Sequence, residues 1–434
     1  MPRKIFAIIL ALAASLAVLA LPLSAAYLEA PNAPDTGYAR AVLLKHMESG
    51  TILYSKNADS ELYPASTVKL MTAVLAAEKF AGRLDTEVTV SEKAVQGIGG
   101  NYIALQPGEV TTVQALINAM IIGGANDAAM VLSEAVSGTT EEFVARMNER
   151  AAELGCDSTV YMNPTGIDVQ GAHTTASDVA RLAEFASQME AIADVADDVT
   201  YVMPATNMSP ERTIRNRNYF ISTALTDAYR RSDVNGLNCG SSAGGGSTLV
   251  ATADDGSFSY LCVVLGASTD SNYIYSYVIC SNLLDWAYRS YGYSAVISSS
   301  KLVCEIPVTM SDGADYVVLS PKDDIDLFMP NNFDVSKDVN IDWTLDEESL
   351  TAPVEEGQRA GMLVVYDLRT GDVIGQSELV AVTHVDRSEL KYRLWQLLSF
   401  FTSPTFLAIA AAAAVLILTY IIVTAYRREV KKIR

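Results

Sequence analysis

The feature that most restricts this chain is a run of 22 residues, Thr405 to Tyr426, with no charge and many Ala, Leu, Ile and Val. The hydrocarbon core of a bilayer takes about 20 such residues as a helix. The octapeptide RREVKKIR follows, with five bases and one acid. Basic flanks of this kind mark the cytoplasmic side. Trp395, Phe400 and Phe401 precede the run and suit the opposite interface. The sequence therefore predicts a transmembrane helix over 405–426 and a basic cytoplasmic tail over 427–434. The body would be held to the cell membrane by a single-pass C-terminal anchor, on the extracytoplasmic side. At the other end, Arg3 and Lys4 precede an apolar stretch from Ile5 to Leu23, and Ser24-Ala25-Ala26 closes it. This is the layout of a signal peptide over 1–26. An uncleaved N-terminal anchor is the alternative, because the apolar stretch is long.

Between these ends lie 24 basic and 50 acidic residues. A body this acidic repels phosphate backbones, so nucleic acid is excluded as a partner. Half of the residues are apolar, which rules out a mainly disordered chain. Five cysteines in 434 residues do not make a disulfide scaffold.

Residues 39–57 read as a hairpin turning near Glu48-Ser49-Gly50. Helices are expected from Ser66 to Phe80, from Thr111 or Thr112 to Ile122, over 126–136, 141–154 and 175–188, and from Tyr275 to Tyr288. Gly123-Gly124 interrupts the second of them, and Thr175 with Asp178 reads as a capping box. The string GLNCGSSAGGGS, from Gly236 to Ser247, reads as a glycine-rich turn between two extended segments. From 294 to about 383 the pattern is strands only, and a short stalk helix follows before the membrane. The expected organisation is an α/β (α+β) domain over 38–293, a small all-β domain over 294–385, a stalk over 386–403 and the transmembrane helix.

Little catalytic chemistry is open to this composition. There are three histidines, no HExxH and no paired-cysteine spacing, so no metal site is expected. A Walker loop is absent. What remains is Ser-x-x-Lys, which sets a hydroxyl and an amine on one helical turn. A lysine desolvated there loses its proton and serves as a base toward serine. The tetrad alone is weak, since it occurs at Ser66/Lys69, Ser298/Lys301 and Ser388/Lys391. Only Ser66 follows a proline and opens an apolar helix.

The text around Ser66 adds specificity. SGTILYSKNADSELYPASTVKLMTA is followed in order by SEKAV, LQPGEVTTVQALINAMIIGGANDAA, MNPTGID, HTTASDVARLA, RTIRNRNYF and VNGLNCGSSAGGGSTLVATA. As a set, over roughly residues 38–385, these resemble the low-molecular-weight penicillin-binding proteins, the serine D-Ala-D-Ala carboxypeptidases. The resemblance implies a penicillin-binding/β-lactamase-like catalytic domain. It also implies that Ser66 is the nucleophile and Lys69 its base. The family's second motif, Ser-x-Asn, falls on Gly124-Ala125-Asn126: Asn126 is kept and the serine is lost. The third, Lys-Thr-Gly, falls on Asn238-Cys239-Gly240, where only the glycine is kept. Asn238, Cys239, Gly240 and Ser241 would then line the substrate site, with the backbone N–H groups of Ser66 and Ser241 as the oxyanion hole.

Two readings follow. In the first, the chain trims peptidoglycan stem peptides through an acyl-serine, is acylated by β-lactams, and uses no cofactor. In the second, it is a catalytically impaired relative that binds cell-wall peptide or a partner. Arg215 and Arg217 read as surface arginines, with the alternative that one supplies the missing cation. Cys239 reads as a tolerated small residue, Asn163 as a turn residue, and Tyr102 as a possible groove residue.

Overall fold

The computed structural model describes residues 31–222 and 226–433, with side chains described through Ala425. The signal peptide expected over 1–26 lies outside the described residues, as do the side chains of the basic tail. Two compact units emerge. One holds the residues up to Gly292 together with Phe328–Phe333; the other holds Tyr293–Leu327 and the chain from Asp334 onward.

The first unit is built on a five-stranded sheet. Its strands are β1 (Ala41–His46), β2 (Ile52–Lys56), β3 (Val234–Ser242), β4 (Gly246–Asp254) and β5 (Ser259–Ala267). Their spatial order is β2-β1-β5-β4-β3, with antiparallel neighbours throughout. β1 and β5 read AVLLKH and SYLCVVLGA, nearly continuous apolar runs rather than alternating ones, because both faces of the sheet are covered. Leu43, Val250, Leu261 and Val263 face a helical cluster formed by α1 (Val68–Lys79), α2 (Val113–Gly123), α3 (Asn126–Ser137), α4 (Thr140–Glu153) and α5 (Ala176–Ala186). Val42, Leu44, Cys262 and Val264 face the other way, onto α6 (Tyr275–Ser290). β3 is an edge strand, so its outer side is free to border a site.

The central helix differs from its expected form in one informative way. Ala65–Thr67 is a 3₁₀ turn, and the α-helix proper begins only at Val68. Ala65 carries a left-handed φ of 45°, which an α-helix cannot contain. Ser66 is thus held in a tight turn ahead of α1. From Val68 to Ala77 every residue of α1 is buried, as in a helix enclosed on all sides.

Caps fall where the sequence puts them. Thr112 Oγ1 accepts from Ala115 N and Thr175 Oγ1 from Asp178 N. Asp178, however, does not reach back as a capping box would. Its carboxylate takes Ser158 N at 2.9 Å, Thr159 Oγ1 at 2.7 Å and Arg181 at 2.6 Å. Phe328 belongs to the first unit because its ring stacks on buried His46, with centroids 3.6 Å apart.

In the second unit a six-stranded sheet forms from β6 (Cys304–Thr309), β7 (Tyr316–Pro321), β8 (Val339–Leu345), β9 (Leu350–Thr351), β10 (Arg359–Asp367) and β11 (Val373–Ala381), in the order β8-β10-β11-β7-β6-β9. Its core holds Ile306, Val317, Leu319, Leu363, Val365 and Leu379. The expectation of strands only is corrected by a helical turn at Val335–Asp338, where the Asp334 side chain accepts from Ser336 N. α7 (Glu389–Thr402) matches the expected stalk, and α8 spans Pro404–Ile433.

Candidate active site

A cleft of about 550 Å³ opens along the outer side of β3, and Ser66 and Lys69 stand in its wall. The ammonium of Lys69 lies 3.5 Å from Ser66 Oγ and donates to the Thr165 carbonyl at 2.6 Å. Lys69 is 2 % exposed. Burial is the main cause that brings its pKa down to about 8; the nearby Cys239 thiol opposes the shift and the Arg217 cation adds to it. At pH 7 roughly a tenth of such a lysine is a neutral amine, against far less than a thousandth at the ordinary value. The pair can therefore take a proton from the serine hydroxyl.

Two glycines let three segments converge on Ser66. A Cβ at Gly166 would fall 1.8 Å from the Ala65 carbonyl oxygen, and its φ is +82°. One at Gly240 would fall 2.2 Å from Ser66 Oγ. The 163–167 loop is fixed by the Asn163 side chain, whose Oδ1 accepts from Thr165 N and Gly166 N while Nδ2 donates to Ile167 O. This is the turn role expected of Asn163. The loop's output is chemical as well: it aims the Thr165 carbonyl at Lys69. That function was not read from the sequence, although the Asn-Pro-Thr-Gly string was visible.

Asn126 starts α3 and is 5 % exposed. Its Nδ2 donates to the Gly99 carbonyl at 2.7 Å, while Oδ1 is buried without a partner among the described residues. It lines the cleft beside Ser66. Gly124 caps α2 in the left-handed region at φ 67° and is not among the lining residues.

The third-motif positions separate. Cys239, Gly240 and Ser241 line the cleft; Asn238 does not, and is 5 % exposed. Burial raises the Cys239 pKa, so the group is a thiol at neutral pH, and it interacts with the Tyr277 hydroxyl. Tyr102 is exposed and borders a separate small cavity with Val95 and Leu105. Arg215 lies on the short strand Arg212–Arg215 and stays outside the cleft, whereas Arg217 is one of its lining residues. Both arginines are exposed, as the surface reading expects, and Arg217 in addition borders the cleft. Tyr219, Thr248 and Tyr277 also line the cleft, and no sequence signal marked them.

Comparison with known proteins agrees with this geometry. Residues 29–269 match the family described as D-alanyl-D-alanine carboxypeptidase, Peptidase_S11. The chain belongs to the D-alanyl-D-alanine carboxypeptidase family. Residues 291–387 match the penicillin-binding protein 5 C-terminal domain. Among curated members, D-alanyl-D-alanine carboxypeptidase DacC of Escherichia coli is 30% identical over 367 residues, covering 82% of this chain and 86% of that protein. DacF of Bacillus subtilis is 29% identical over 346 residues, covering 79% and 85%. The crystal structure of DacD from Francisella tularensis superposes with a TM-score of 0.62 at 22% identity, covering 82% of this chain and 95% of that one. Penicillin binding protein 5 from Haemophilus influenzae gives 0.60 at 24%, covering 82% and 99%. The last two establish the family fold for this carboxypeptidase relative.

Proposed function

We propose that the protein is a membrane-associated serine-type D-Ala-D-Ala carboxypeptidase that trims peptidoglycan stem peptides. The observation that carries this reading is the buried Lys69 ammonium within 3.5 Å of Ser66 Oγ. In the neutral form Lys69 takes the hydroxyl proton as Ser66 Oγ attacks the carbonyl of the penultimate D-alanine. The backbone N–H groups of Ser66 and Ser241 receive the developing oxyanion. The C–N bond then breaks, and the terminal D-alanine leaves with the proton returned by Lys69. Water, deprotonated by the same amine, hydrolyses the acyl-serine. Because Gly124 offers no hydroxyl as a relay, Lys69 serves both steps. Asn126, with its free Oδ1, is suited to accept a substrate amide N–H.

Residues 38–293 would form the catalytic body and 294–385 a β spacer. The 386–403 stalk and the apolar helix would hold that body at the extracytoplasmic face of the cell membrane. The impaired alternative finds no support in the site, where the nucleophile and its base are intact.

Incubation of the full chain in detergent micelles with a fluorescent penicillin is the test. A covalent band that disappears in Ser66→Ala is the expected result. A folded protein that stays unlabelled after prolonged incubation at high concentration would overturn the acylation mechanism.

A further inference from the structure

Among the described residues that line the cleft, Asp168 is the one acid, and the acylation chemistry gives it no part. It directly follows the 163–167 loop, which the Asn163 side chain ties down. From the other side the turn between β3 and β4 reaches it: the Gly244 N–H donates to Asp168 Oδ2 at 2.7 Å. A Cβ at position 244 would lie 2.8 Å from the Tyr63 ring and 3.2 Å from Asp168 Oδ2, so glycine lets that turn close onto the carboxylate. Asp168 is thus held between two anchored segments. Its other oxygen, Oδ1, is buried with no hydrogen-bond partner among the described residues.

A carboxylate offers about four lone-pair sites on its two oxygens, and here one backbone N–H engages one of them. A buried acceptor left without a donor is costly, so this oxygen asks for a partner. No lysine or arginine among the described residues supplies it. Arg40, which reaches the same turn, donates to the Gly244 carbonyl at 3.1 Å instead. Lys69 is bonded to the Thr165 carbonyl. No group of three His, Cys, Asp or Glu gathers among the described residues, so a transition-metal ion finds no ligand set. A donor carried by the substrate fits these facts. Asp168 is half-buried and borders the open cleft. A small turn about its Cβ–Cγ bond, a broad torsion in aspartate, presents Oδ1 to the cleft without giving up the Gly244 bond.

Charge and distance define that donor. A body with 50 acidic residues against 24 basic ones attracts cations. The bond from an ammonium to a carboxylate is of the stronger, charge-assisted kind. Asp168 stands three residues beyond Thr165, whose carbonyl holds Lys69, so the two Cα atoms are at most about 10 Å apart. An amine on a flexible stem of about four carbons, carried by the residue ahead of D-Ala-D-Ala, covers a distance of that order. We propose that Asp168 receives an ammonium group on the acyl side of the substrate and so determines specificity for peptides whose side-chain amine is free. The proposal rests on the reading of the site given above and deepens it. Acylation of the amine, as when two peptides are joined through it, removes the charge. The enzyme therefore favours peptides on which no such reaction has yet taken place.

The test reads binding apart from chemistry. In a Ser66→Ala background nothing turns over, and the full chain in micelles is titrated with two probes. One is an N-acyl-Lys-D-Ala-D-Ala peptide with a free side-chain amine, and the other is the same peptide with that amine acetylated. The free amine is expected to bind about tenfold or more tighter, the range of a charge-assisted hydrogen bond. Asp168→Asn keeps an oxygen for the Gly244 N–H but removes the charge, and it should bring the two affinities together. A merely structural role would weaken both probes alike and leave their ratio unchanged. A ratio that survives Asp168→Asn, or a Ser66→Ala parent without the preference, overturns the proposal. If Asp168→Asn binds neither probe, Asp168→Glu decides: a retained preference for the free amine supports the role and a lost one overturns it. Penicillin labelling of the Ser66 protein, read separately, reports on the acylation mechanism alone.

Discussion

Lys69 is one residue with two demands on it: it must be buried to lose its proton, and it must keep a proton acceptor in reach. The Thr165 carbonyl at 2.6 Å holds its position, and burial lowers its pKa to about 8. In the proposed mechanism the active form is the neutral amine, so the sign of the pH effect follows. Below about 8 the ammonium dominates, and acylation should fall close to tenfold for each unit of pH. Above that value the rate should level off. The second-order rate of penicillin labelling, followed from about pH 6 to pH 10, checks this. A flat profile would remove Lys69 as the base. At this scale it was the resemblance, and not spacing alone, that singled out Ser66, Lys69 and Asn126, and the structure brings the three to one cleft. For Arg217 the sequence left two readings open, a surface residue or a source of the missing cation. Which way a side chain turns after the Arg212–Arg215 strand depends on the end of α2, more than 90 residues earlier in the chain.

The site depends on elements approaching more closely than side chains normally permit. β3 borders the 3₁₀ turn at Ser66 only because position 240 has no Cβ, and the 163–167 loop meets Ala65 only because position 166 has none. Gly240→Ala sets a methyl 2.2 Å from Ser66 Oγ, so the edge strand or the turn must move. Shifts of about 1 Å at a reacting group cost on the order of 100-fold in rate. Penicillin labelling should therefore drop by at least that factor while the helices remain folded by circular dichroism. Gly166→Ala meets backbone rather than a side chain, and its φ of +82° adds strain. A loss of about 2–4 kcal/mol is expected, combining overpacking with an unfavourable backbone conformation, and thermal unfolding would register it. Wild-type melting for Gly166→Ala would contradict the close approach. Most helices were legible from periodicity and caps. The 3₁₀ start at Ala65–Thr67 was not, because nothing in AST announces a left-handed alanine. The order of β6 to β11 was also illegible: it turns on a parallel pairing of β6 with the two-residue strand β9, too short to leave a pattern.

For the whole molecule, the decisive element is the apolar stretch Pro404–Ala425 inside α8, 22 residues with no buried position in its most apolar window. At about 1.5 Å per residue it matches the roughly 30 Å hydrocarbon core of a bilayer. It was the most legible element of all, since length and lack of charge are read directly from the text. The preceding helix is a different object. On α7, Leu390, Leu394, Leu397, Leu398 and Phe401 are exposed, while Lys391, Arg393 and Gln396 supply polar positions between them. An amphipathic helix of this kind can lie on a membrane surface, but its binding is reversible, unlike that of a spanning helix. The two contributions are separable. The full chain expressed in bacteria should stay in the membrane pellet through an alkaline carbonate wash. A chain ending at Ser403 should be released by the same wash, even if α7 keeps part of it on membranes at neutral pH. Because the catalytic cleft lies in the first unit and α8 in the second, the truncated protein should label with penicillin at the rate of the full chain in detergent. Release of the full chain by carbonate would show that α8 does not span.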